Sequence, residues 1–137
     1  MKAAIIQQIA LPRIPSASGI EMVGDHLFVI GDDAQYLFVL NQSFQLVEKV
    51  QLFDAVTENS GRISKLLKPD LEALTTIDHE GEKYVLTIGS GSLREIRDVA
   101  FLISLKDYHI TKISLVLFYD YIRKLFHDLE AGTLNIE

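Results

Sequence analysis

Three glutamates stand in similar settings along this chain. Glu21 lies in Ser18-Gly19-Ile20-Glu21-Met22-Val23, Glu72 in Pro69-Asp70-Leu71-Glu72-Ala73-Leu74, and Glu137 in Leu134-Asn135-Ile136-Glu137. Each follows an aliphatic residue after a short polar lead. They are 51 and 65 positions apart, a spacing that marks a recurring structural unit. Carboxylates gathered on one axis repel one another unless a cation or hydrogen-bond donors compensate them. The chain has no cysteine and no clustered histidines, so an oxygen-donor site here suits Ca²⁺ or Mg²⁺ better than Zn²⁺. Glu21, Glu72 and Glu137 are therefore candidate metal ligands, with Ca²⁺ the candidate ion. The alternative is that each accepts backbone N–H groups of the adjoining unit and sets the spacing between units.

A second set of polar residues follows two similar Ile-Gly pairs. Asp32 and Asp33 come after Ile30-Gly31, and Ser90 and Ser92 come after Ile88-Gly89. Gly89-Ser90-Gly91-Ser92 is either a flexible loop or a cradle whose backbone N–H groups face an anion. It lacks the Gly-Lys-Ser/Thr ending of a P-loop and does not form the G-x-S-x-G elbow. Arg97 has the planar fork that binds phosphate or carboxylate, or it pairs structurally with Asp98 or Glu72. Asp32, Asp33, Ser90, Ser92 and Arg97 are the candidate ligand-binding residues. No catalytic residue can be assigned, because the histidines at 26, 79, 109 and 127 are scattered and no Ser-His-Asp arrangement is visible. Arg62, Lys65 and Lys68 read as a solvated loop.

The elements that must position these residues are short strands. Ala3–Ile9 reads as an isolated strand, followed by the breakers Pro12 and Pro15. Gly19–Val23, Leu27–Ile30, Tyr36–Leu40 and Gln45–Leu52 make a first block, with turns at Gly24-Asp25, Gly31-Asp32-Asp33 and Asn41-Gln42-Ser43. In the fourth strand Leu46, Val50 and Leu52 are assigned to one face. Leu71–Ile77, Tyr84–Gly89, Ala100–Ile103 and His109–Leu115 repeat the plan. Unbroken apolar runs suit inner strands and alternation suits an outer one. Two such blocks predict an all-β fold of two four-stranded antiparallel β-propeller blades, against a generic β-sandwich as the alternative. Blade 1 spans about 16–53, a linker 54–68, and blade 2 about 69–115. Phe118, Ile122, Leu125, Phe126 and Leu129 then recur at helical spacing before Gly132, giving a short rim helix and the start of a third blade over 116–137.

Composition narrows the function. The chain has 137 residues, 48% of them hydrophobic, and a formal net charge of −6. That is enough for one domain with a core. A basic surface for nucleic acid is not visible. No apolar run reaches the length of a membrane span, and the N-terminus lacks a signal-peptide core. The expectations are no nucleic acid, no membrane and a cytoplasmic location.

The ordered set Ser18-Gly19-Ile20-Glu21, Ile30-Gly31-Asp32-Asp33, Tyr36–Leu40, Gly61-Arg62-Ile63, Lys68–Leu74, Gly89–Ser92, Arg97–Ala100 and Leu134–Glu137 resembles uncharacterised bacterial propeller proteins. These are grouped with the phytase-like and SdiA-regulated propellers. The aliphatic-Glu pattern is also loosely similar to calcium-dependent apyrase-type propellers, where such glutamates line the central tunnel. The resemblance implies a small-ligand, metal or partner site near the propeller axis, or a calcium-dependent phosphoesterase. A purely structural interaction module is a third reading. Members of that group are about twice as long, so the resemblance implies either further blades or a homo-oligomer. Phe28, Val29, Phe38, Tyr84, Leu86, Phe101 and Ile103 are the candidates for blade faces left open.

Both readings of Glu72 give it partners that cannot be left bare. Glu72→Ala is expected to cost about 1–3 kcal/mol and to lower the melting temperature more than Glu80→Ala does. Equal thermal shifts for the two variants would remove both readings.

Overall fold

The computed structural model describes residues 4–6, 8–11, 13–126 and 134–136. Eight strands form two sheets. β1 (Ala17–Val23), β2 (His26–Gly31), β3 (Tyr36–Asn41) and β4 (Leu46–Gln51) pair in chain order as sheet 1. β5 (Leu71–His79), β6 (Glu82–Gly89), β7 (Val99–Ser104) and β8 (Ile110–Ser114) do the same as sheet 2. Every pairing is antiparallel. One helix, α1 (Val116–Leu125), follows. The expected all-β architecture of two four-stranded units is present.

The sheets stack face to face. Phe28, Ile30, Leu37, Val39, Val50 and Leu52 of sheet 1 and its flank meet Leu71, Val85, Val99, Phe101 and Ile103 of sheet 2 in one apolar core. Side chains alternate along a strand. Val29, Phe38 and Leu40 therefore turn to the opposite side of sheet 1, where they form a second cluster with Ala34. Leu11 and Ile14 of the N-terminal segment cover that cluster. Of the seven residues expected on open faces, Phe28, Val29, Phe38, Phe101 and Ile103 are buried, with sheet 2 or the N-terminal segment as their cover. Tyr84 and Leu86 do lie on a half-buried outer face.

Several sequence expectations need correction. The described residues of 4–10 form no strand, and Ile5 and Ile6 are exposed. Their β-branched character is not enough: they join neither sheet, and a strand without a partner is not stable in water. In β4, the register shifts between Val39 and Leu40. An inserted residue reverses the facing of everything beyond it, so Leu46 packs with the outer cluster while Val50 and Leu52 stay in the inter-sheet core. The helix begins and ends earlier than expected, and its buried residue is Tyr119, while Phe118, Leu125 and Phe126 are exposed. Leu129, Glu130 and Gly132 lie outside the described residues. Leu134–Ile136 form no strand.

The repeat is real, but its register differs from the one read on the glutamates. β1 and β5 each carry a bulge, between Ala17 and Gly19 and between Leu71 and Ala73. Ala17 faces Gly31, and Leu71 faces Gly89. The extra residues are Ser18 and Glu72. Glu72 therefore has Ser18 as its counterpart, not Glu21, which pairs with Phe28 deeper in the strand. Just before each bulge a Pro precedes a residue at positive φ, Ser16 at 41° and Asp70 at 56°. Each Pro carbonyl presses on the glycine ending the second strand. An added Cβ would stand 2.2 Å from the Pro15 oxygen at Gly31 and 2.6 Å from the Pro69 oxygen at Gly89. Nothing larger than hydrogen fits either place.

Within the inter-sheet core, Thr87 is fully buried and its Oγ1 has no partner. The matching position on β2 is Val29, since Val29 pairs with Phe38 as Thr87 does with Phe101. Thr87→Val keeps the shape and removes an unsatisfied hydroxyl. It is expected to raise stability by about 1 kcal/mol or more, measured as a higher denaturation midpoint at unchanged slope.

Candidate functional site

The polar residues converge where the second strand of each sheet ends, beside the bulges. Asp70 is the hub. It is 6% exposed, and its left-handed backbone turns the chain out of the linker into β5. Its Oδ1 lies 2.6 Å from Lys68 Nζ, and its Oδ2 accepts a hydrogen bond from Arg97 Nη1 at 2.6 Å. Ser90 Oγ donates to the same Oδ2 at 2.7 Å, with Ser92 Oγ at 3.4 Å. Lys68 Nζ also donates to Asp32 Oδ2, across from sheet 1. Arg97 completes its fork on Ser92 Oγ at 2.6 Å and the Lys65 carbonyl at 3.0 Å. One Lys and one Arg thus tie the linker, the end of β2, the start of β5 and the β6–β7 loop together.

Three of the five expected ligand residues, Asp32, Ser92 and Arg97, meet in this cluster, and Ser90 joins them from its buried position. Asp33 stands apart, accepting from Ser16 Oγ at 3.2 Å and lying 3.5 Å from Arg62 Nε. Arg97 pairs with Asp70, while Asp98 is held by Arg123. The Gly89–Ser92 stretch is neither a flexible loop nor an anion cradle. Its N–H groups are used internally: Ser90 N on the Asp70 carbonyl, Gly91 N on the Arg97 carbonyl and Ser92 N on Ser90 Oγ. Lys68 does not belong to a solvated loop, since its side chain is 13% exposed.

The metal expectation meets a different geometry. Glu21 sits apart from Glu72, and its hydroxyl contact is Thr76 Oγ1 at 3.4 Å. Glu137 lies outside the described residues. Glu72 instead approaches Asp32 and Asp70, one carboxylate oxygen of each falling within 4.8 Å of the others. The Lys68 ammonium is bonded to two members of that trio. It stands in for the charge a cation would bring.

A second ion pair was not foreseen. Arg123 on α1 grips Asp98 with both terminal nitrogens, at 2.9 and 2.8 Å, and its Nη2 donates to the Gly91 carbonyl at 2.5 Å. Tyr119 Oη donates to the Gly89 carbonyl at 2.5 Å. Its ring lies against Gly91, where an added Cβ would come within 2.5 Å. The helix therefore clamps the loop carrying Ser90, Ser92 and Arg97. Burial, with the Asp98 charge adding to it and Arg123 opposing, pushes the Tyr119 hydroxyl up to about 12.

The electrostatics of Asp70 and Lys68 are coupled. Burial pushes the Asp70 carboxyl up, but hydrogen bonds from Lys68 and Ser90 and the charges of Lys68 and Arg97 outweigh it, leaving the group below its ordinary range. Burial pulls Lys68 down, and its bonds to Asp32 and Asp70 overcome that and hold it above its ordinary value.

Fold and site together define an all-β protein of two stacked four-stranded sheets locked at one end by an ion cluster. Residues 13–137 match a family of unknown function, DUF6929, and the chain belongs to that family. No curated protein and no solved structure matches the chain.

The two shifts set the pH dependence. A depressed carboxyl stabilises above its unfolded value of 3.8 and loses that contribution as pH falls through its folded value. A raised lysine stabilises below 10.5 and loses that contribution at higher pH. Melting temperature is therefore expected to hold near neutrality and to drop below about pH 4 and above about pH 10.5. Asp70→Asn is expected to cost about 3 kcal/mol or more at pH 7 and to flatten the acid limb. An unchanged acid limb in this variant would show that other carboxylates control it.

Proposed function

We propose that the chain is a run of two β-propeller-type blades serving as a protein-interaction module, with the Asp32–Lys68–Asp70–Arg97 cluster as its internal lock. The observation that carries this reading is the Lys68 ammonium bonded to both Asp32 and Asp70. A phosphoesterase needs a cation or free basic groups to hold phosphate oxygens and polarise phosphorus. Here the basic groups nearest the axial end are bound by the protein's own carboxylates, hydroxyls and a carbonyl. The Oδ1 of Asp32 and the Nε of Arg97 lack hydrogen-bond partners, but both are buried and neither is open to a substrate.

Calcium titration of the wild type and of Lys68→Met tests this. The wild-type chain is expected to give no saturable Ca²⁺ heat and no hydrolysis of phosphomonoesters or nucleotides. Lys68→Met takes from Asp32 and Asp70 the ammonium that joins them, in a trio with Glu72 whose oxygens lie within 4.8 Å of one another, and a saturable Ca²⁺ heat is expected to appear. Saturable Ca²⁺ binding by the wild type, accompanied by phosphate release, would replace the interaction reading with the calcium-dependent phosphoesterase.

A further inference from the structure

Sheet 1 offers one face to sheet 2. On β2 and β3 that face is Phe28, Ile30, Leu37 and Val39. The paired registers identify its counterpart on sheet 2. Phe28 pairs with Val39 on the middle strands of sheet 1, and Leu86 pairs with Leu102 on those of sheet 2. Continuing the alternation, Leu86, Ile88, Ala100 and Leu102 face away from sheet 1, with Ile113 beside Ala100 on β8. The side that receives a sheet within this chain is thus repeated on sheet 2, in apolar residues again, and the large ones are half-buried or, like Ile113, exposed.

The complementary side is repeated too. Sheet 2 packs into the core through Val85 and Phe101. Their counterparts on sheet 1 are Leu27 and Phe38, on the face now covered by Leu11 and Ile14. That cover is incomplete. A cleft of about 420 Å³ lies between Ala10, Leu11, Arg13 and Ile14 on one side and Leu40 and Leu46 on the other. Lys49 pairs with Phe38 on this face, and its ammonium rides 5.7 Å from the Phe38 ring. It is no obstacle to packing. Lys112 holds the same relation to Phe101 at the margin of the existing inter-sheet core, with its side chain exposed.

We infer that the Leu86–Ile88–Leu102 face of sheet 2 binds a second copy of this chain, through the sheet-1 face that its Leu11 and Ile14 now cover. The contact is head to tail and reproduces the inter-sheet interface of the chain itself. The N-terminal segment is then a displaceable cover that competes with the incoming sheet. This names a partner for the interaction module proposed above, but it stands on the sheet geometry. Failure of assembly would leave the lock and its calcium test untouched.

Sedimentation equilibrium of the full chain over a micromolar range tests it. The mass is expected to rise above 15.4 kDa with concentration. Loosening the cover with Leu11→Asp and Ile14→Asp together is expected to strengthen association about tenfold, because the binding-competent state becomes more populated. Leu102→Lys is expected to hold the chain at one-copy mass with an unchanged circular dichroism spectrum. Should that variant fold poorly, Thr111→Arg places a charge on the same face from an exposed β8 position opposite Leu102. Added to wild type, either folded face variant is expected to shorten assemblies, since it can still offer its sheet-1 face and end a stack. A one-copy mass for both the wild type and the cover variant would overturn the inference. So would association unaffected by the face variants, or face variants excluded from wild-type assemblies, as in a two-fold contact.

Discussion

The Asp70 carboxylate is the constraint on which the rest depends. Its positive φ steers the chain from linker to strand, and its two oxygens collect a lysine, an arginine and two serines. A buried carboxylate is costly unless it is paired and hydrogen-bonded. In this chain those partners come from separate segments. Lys68 carries the network across to Asp32 at the end of β2, and Arg97 carries it into the β6–β7 loop. Satisfying one charge therefore fixes how the ends of the two sheets meet.

A second layer holds that loop from outside. Asp98 is fully buried in its side chain and matched by Arg123 from the helix. Tyr119 contributes both a hydrogen bond to the Gly89 carbonyl and the ring contact that only a glycine at position 91 allows. Two acid–base pairs, Asp70–Arg97 and Asp98–Arg123, thus grip neighbouring stretches of one loop from opposite sides. The glycines at 31 and 89 serve the same end of the molecule by letting Pro15 and Pro69 close over the sheet termini.

Strand order and pairing were legible because buried strands need apolar runs and tight turns need glycine, aspartate or asparagine. The eight strands fall where those runs do. The site was less legible. Asp32, Ser90 and Ser92 are legible from their position after the Ile-Gly pairs, and Arg97 from its planar fork in the loop before β7. Lys68 was read as solvated because a lysine in a polar stretch carries no mark of its partner. Asp70 lies two residues before Glu72 in the same motif, and the recurrence of the motif points to the glutamate alone. The signal for Asp70 is the proline before it, shared with Ser16, which marks the start of the first strand in both units. The bulges account for the slip between Glu21 and Glu72: an extra residue leaves the alternation of types intact to the eye while it changes which residues correspond. The helical face was misjudged for a simpler reason. Phe118 and Leu125 suit a buried stripe by composition, but the bonds of Tyr119 and Arg123 decide which side turns inward.

Because the two faces of each sheet differ, every sheet-on-sheet contact of this kind carries the same handed rotation from one member to the next. A contact between unlike surfaces has no built-in stopping point. It closes only when the accumulated turn completes a circle, and otherwise winds on as a helix. The geometry of any larger object is then governed by an angle already present between sheet 1 and sheet 2. A segment lying over one terminal face, as Leu11 and Ile14 do here, is the simplest device by which such a series ends.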